Sequence, residues 1–167
     1  MKKRVLSLLL LVALLVPFAG CAREPEPQDG AYQLYFLSDS GHGSALAGEV
    51  WEPDGENPEP GEMLRALLAG PEQEGLANPF PRGVAMRNCS FDEEREGLLR
   101  VWLTEQYSGL SDISLTLADY CIVLTLTQLE GVEEVEIISG GHSVNYRSHQ
   151  ILSAQEAMLT DPLAGEG

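Results

Sequence analysis

Residues 112–141 read DISLTLADYCIVLTLTQLEGVEEVEIISGG, and this stretch decides the fold. Leu115, Ala118, Ile122, Thr125 and Leu129 recur at spacings of three and four, with Cys121 beside them. That is one stripe of a helix, predicted over 112–129. Many β-branched residues weaken the helix propensity here. The length of the run and the stop at Gly131 support it. From Val132 the period changes to two: Val135 and Ile137 alternate with Glu134 and Glu136, and Gly140-Gly141 turns the chain. A half-buried strand follows, predicted over 132–139.

Upstream the same two periods repeat. Tyr32, Leu34 and Phe36 alternate with Gln33 and Tyr35, and residues 45–51 form a weaker strand ending at Trp51. A loop with three prolines leads to a helix in which Met63, Leu64, Leu67 and Leu68 share one face. Asn57 is its expected N-cap with Pro58 as first helical residue, where a missing amide proton costs nothing. Gly70-Pro71 ends it. Residues 71–83 read as an irregular loop. A hairpin is expected next, with Val84, Met86 and Asn88 on one side of its first strand and Leu99, Val101 and Leu103 on one side of its second. Residues 92–97 (DEEREG) form its charged connection. Near the C-terminus, Ser153 with Glu156 makes a capping box for a short helix.

Helices that follow pairs of strands predict the α+β class: a two-layer sandwich, two amphipathic helices on one face of a mainly antiparallel or mixed sheet. The domain is expected over residues 32–160, after a segment of another kind.

That segment is residues 1–20. Lys2, Lys3 and Arg4 precede an apolar run broken only by Ser7 and Pro17, then Phe18-Ala19-Gly20-Cys21. The order is that of a secretory signal, and the run is too short for a comfortable transmembrane span. The cysteine makes it similar to the lipobox of bacterial lipoproteins, with Phe18 in place of the usual leucine. Cys21 is therefore the expected lipidation site and new N-terminus, and residues 22–30 (AREPEPQDG) a flexible tether. Cleavage would leave 147 residues (167 less 20) and a formal charge of −19 (7 basic less 26 acidic). Such a chain repels phosphate backbones, which argues against nucleic acid as a partner. It offers no basic patch to anionic lipid either, so the membrane would hold it through acyl chains alone.

Cys89 and Cys121 remain, and in an exported chain they either form a disulfide or stay buried as small hydrophobes. Catalytic signatures are missing: the sequence has no G-x-S-x-G elbow and no phosphate-cradling G-x-x-x-x-G-K-[ST]. His42 and His142 sit in glycine turns and His149 stands apart, without zinc-type spacing to either cysteine. Asp92, Glu93, Glu94 and Glu96 lack the ligand alternation of an EF-hand loop. No cofactor, metal or catalytic residue is expected. Trp51 and Trp102 are the candidate interface residues. Trp102 has the opposite parity from Leu99, Val101 and Leu103, so it faces outward if those three face the core.

Several motifs in order resemble the GerMN domain of sporulation and germination lipoproteins. They are Tyr35-Phe36, Leu68-Ala69-Gly70-Pro71, Pro81-Arg82-Gly83, the strand around Leu99 and Val101, Thr125-Leu126-Thr127 with Val132, and Val135-Glu136-Ile137 closed by Gly140. The acidic connection 92–97 departs from that pattern. The resemblance implies a ring-building-like fold and a role in assembly rather than catalysis. It points to a lipid-anchored domain on the outer face of the cell membrane, with protein partners in an envelope complex and self-association as one form of it. A lipoprotein that binds a small ligand or peptidoglycan fragment is the alternative.

Overall fold

The computed structural model describes residues 31–39, 45–55, 57–139 and 151–159. Its strands fall into two sheets. In the first, β1 (Tyr32–Ser38) lies between β2 (Leu46–Trp51) and the two-residue β3 (Leu76–Ala77), all antiparallel. The second has the order β4 (Met86–Phe91), β5 (Leu98–Leu103), β6 (Glu134–Ser139), β7 (Ile151–Ser153). There β5 and β6 run parallel and the outer pairs antiparallel. Parallel neighbours need a long crossover, and helix α2 (Asp112–Leu126) supplies it. The other helices are α1 (Pro60–Ala69), a 3-10 turn over Glu105–Gly109, and α3 (Ala154–Leu159).

The α+β class with mixed pairing stands as expected; the division into two sheets is new. Its cause lies in α2. The expected stripe is inside, with Ala118, Ile122 and Thr125 at 0% exposure, but Tyr120, Val123 and Leu124 on other sides of the helix are buried too. A helix apolar on every side needs more than one cover. α2 packs against β1 of the first sheet, β6 and β7 of the second, and α1. Leu34 and Phe36 from one sheet and Leu99, Val101, Leu103, Val135 and Ile137 from the other join a single core with Met63, Leu64 and Leu67 of α1. Each such side chain contributes about 1.5–3 kcal/mol by leaving water.

Three local expectations shift. α1 begins two residues late, with Glu59 as N-cap and Pro60 at the first helical position. The residue before a proline is driven out of the helical region, and Glu59 accordingly sits at φ −74°, ψ 147°. A helix started at Pro58 would have needed Glu59 helical. The hairpin carries a bulge between Met86 and Asn88. It reverses the parity of β4, so Cys89 packs on the core and Asn88 is exposed. Finally, α2 stops at Leu126, with Thr127 as its cap. At the C-terminus the capping box forms: the Ser153 amide and hydroxyl donate to Glu156 Oε2 at 2.9 Å, and the Glu156 amide donates to Ser153 Oγ at 3.4 Å.

Candidate interaction face

The second sheet has a dry side and a wet side. Alternation puts Leu99, Val101 and Leu103 into the core at 0% exposure and turns Arg100 and Trp102 the other way. Trp102 is half-buried and lies outside the core cluster, between Asn88 of β4 and Ile138 of β6 in register. Its predicted outward orientation therefore holds. Trp51 differs: it packs on the core edge and meets the ring of its cross-strand partner Tyr32, with centroids 6.3 Å apart.

One row along the wet side runs Ser90, Arg100, Glu136, Ile151. Arg100 donates from Nε to Glu136 Oε2 at 2.7 Å and pairs through Nη1 with Asp92. The hydrogen bond to Glu136 raises the pKa of the guanidinium above its usual value. Asp92 is fixed in turn by the hairpin backbone: its Oδ1 accepts from the amides of Glu94 at 2.9 Å and Arg95 at 2.7 Å. Those amides, more than Arg100, hold its carboxyl below the ordinary range. Arg95 pairs with Glu134 across the same end of the sheet. Gly97, at φ +79°, closes the turn, and its carbonyl accepts from the Glu133 amide at 2.9 Å. Thus the acidic connection is a built turn. Beside it a groove of about 400 Å³ brings Phe91 and Trp102 together with Ser90, Arg100 and the carboxylates of Asp92, Glu93 and Glu94.

Two polar devices elsewhere escaped sequence reading. The edge of β1 that faces α2 is satisfied by side chains of the last turn of α2 and the residues just after it. Gln128 accepts from the Gln33 amide at 2.9 Å and donates to its carbonyl at 2.7 Å, while Thr125 Oγ1 accepts from the Tyr35 amide at 3.0 Å. The side-chain amide substitutes for a neighbouring strand and blunts the edge. Beneath the 3-10 turn, the Tyr107 hydroxyl donates to Asp119 Oδ1 at 2.5 Å, both groups being buried. Burial pushes the Asp119 carboxyl up to about 7, although the Tyr107 bond opposes the shift.

Cys89 and Cys121 are both free thiols. Burial pushes them up to about 11 and about 12, so they behave as packed hydrophobes. Among the described residues no group of three or more His, Cys, Asp or Glu could hold a metal ion, and no helix is long and apolar enough to cross a membrane. Cys21, His42, His142 and His149 lie outside the described residues.

The sequence family described as Germane, sporulation and spore germination, matches residues 33–145. The chain belongs to the Germane family. Solved structures share the fold. The first GerMN domain of the sporulation protein GerM from Bacillus subtilis is 14% identical with a TM-score of 0.57, covering 74% of this chain and 94% of that one. The tandem GerMN domains of the same protein are 19% identical with a TM-score of 0.54, covering 74% and 44%. A candidate lipoprotein of Clostridium perfringens is 15% identical with a TM-score of 0.50, covering 80% and 94%. No curated protein matches. The Germane match runs from β1 past the end of β6, so it includes the first sheet, β4 to β6 of the second, α1, α2 and the face around Trp102.

Proposed function

We propose that this protein is a non-enzymatic docking module, anchored to the outer face of the cell membrane through Cys21, that serves an assembly of sporulation or germination. Membership in the Germane family supports the process. The lipobox-like run before Cys21 supports the anchor. The observation that carries docking is Trp102: a large aromatic turned away from the core, on the sheet side opposite the helices, beside a groove.

The test has two parts. Labelled palmitate should enter the wild type and be lost in Cys21→Ala, which should leave the membrane fraction. In sporulating cells a photo-crosslinker at position 102 should trap a protein partner, and Trp102→Ala should weaken capture of that partner with little change in melting temperature. Label retained in Cys21→Ala would end the anchor reading. A large loss of stability in Trp102→Ala would make the residue structural instead.

A further inference from the structure

We infer that the groove beside Trp102 receives an extended, lysine- or arginine-bearing segment of a partner protein. The inference rests on the docking reading and adds the partner's chemistry. The apolar contact on this face is Trp102, which stands outside the core cluster; Phe91, 47% exposed, lines the groove from the end of β4, where its pairing with Leu99 gives it the dry-side parity. Phe91 lies on the edge strand β4 and Trp102 on β5 beside it, so a chain segment can reach them from the β4 edge. Charge then selects what can settle there.

The turn 92–97, Arg100 and residues 133–136 together bring seven carboxylates against two guanidiniums to this end of the sheet. Neither guanidinium is at liberty: Arg100 is held by Glu136 and Asp92, and Arg95 pairs with Glu134. Glu93 and Glu94 line the groove, are exposed, and form no ion pair among the described residues. A cation arriving here meets two exposed carboxylates and an indole face, and both attract it. A second copy of this chain would bring the same acidic surface and be repelled, since the formal net charge is −16. An extended segment meets both needs at once, because successive side chains point to opposite sides. One set can bear amino or guanidinium groups toward Glu93 and Glu94 while its apolar neighbours cover Trp102.

The test uses the full-length chain in nonionic detergent with Trp51→Phe, which leaves Trp102 as the sole tryptophan, excited selectively at the red edge of its absorption. A blocked hexapeptide alternating lysine and valine should shift its emission saturably, and a glutamate–valine counterpart should not. Glu93→Gln with Glu94→Gln should weaken binding about three- to ten-fold, the effect of two exposed ion pairs. Glu72→Gln with Glu74→Gln, an equal change of charge at the exposed loop before β3, should change it less than two-fold. No emission shift, equal response to both peptides, or equal losses in the two double variants would each overturn the inference. The photo-crosslink at position 102 separates this failure from failure of docking. A trapped partner whose contact segment is acidic or uncharged would leave docking intact and reject the basic segment.

Discussion

Tyr107 and Asp119 form the buried polar contact with the clearest consequence for a single residue. Burial favours the neutral carboxyl, so folded Asp119 titrates near 7 against an ordinary value of 3.8. The folded state therefore binds this proton more tightly than the unfolded chain does. Its stabilising share is complete below about pH 4, declines as pH rises through the interval, and is gone above about 7. Over that span the loss is on the order of 4 kcal/mol. Asp92 and Glu156 have lowered values, so what they contribute is lost only as pH falls below the ordinary carboxylate range. Between pH 5 and 7.5, melting temperature should fall in the wild type and run flatter in Asp119→Asn, whose amide oxygen can still accept from Tyr107. Parallel slopes would remove Asp119 from this account. No periodicity could have revealed the pair. Asp119 reads as an ordinary helical acid until the 3-10 turn lays Tyr107 over it, and that turn has no apolar repeat of its own.

At the scale of elements, the end of α1 shows what a glycine is for. Gly70 adopts φ +95°, and its amide donates to the Leu67 carbonyl at 3.1 Å. A Cβ there would stand 2.8 Å from Asn78 Nδ2, while Asn78 Oδ1 accepts from the Phe80 amide at 2.8 Å. Gly70→Ala thus meets an unfavourable backbone region and a side chain that is tied in place. The expected cost is about 1–3 kcal/mol by urea unfolding. Adding Asn78→Ala should recover only the steric part, since the backbone strain remains. Full recovery would show that φ contributes nothing. Gly70 was readable as a helix stop because Gly-Pro follows an apolar stripe. The start of α1 was less so: Pro58 and Pro60 both fit a first turn, and the choice falls on Glu59, which must be extended before a proline. The bulge in β4 had no local signal at all. It is fixed by pairing with β5, and it is what places Cys89 inside and Asn88 outside.

The whole molecule turns on the circumference of α2. The run Tyr120 to Leu126 is apolar on every side apart from Thr125, and that was visible in the sequence; the second sheet that covers it was not. A strand's partner is chosen by contacts far along the chain, and an alternating pattern reveals only which side is dry. The outward face of Trp102 was legible for that reason, whereas the pairing of Arg100 with Glu136 needed the parallel register of β5 on β6. Because one helix serves both sheets, neither has a separate core, and the domain should unfold in one cooperative step. Phe36→Ala removes packing from the first sheet and Val101→Ala from the second, both at fully buried positions. Costs of about 3–5 kcal/mol and somewhat less, respectively, follow from the sizes of the lost groups. Each variant should shift one common urea midpoint, with circular dichroism and tyrosine-tryptophan fluorescence transitions coinciding. If Phe36→Ala loosened the environment of Trp51 while Trp102 kept its native emission, the two sheets would be separate folding units, and α2 would not be their shared core.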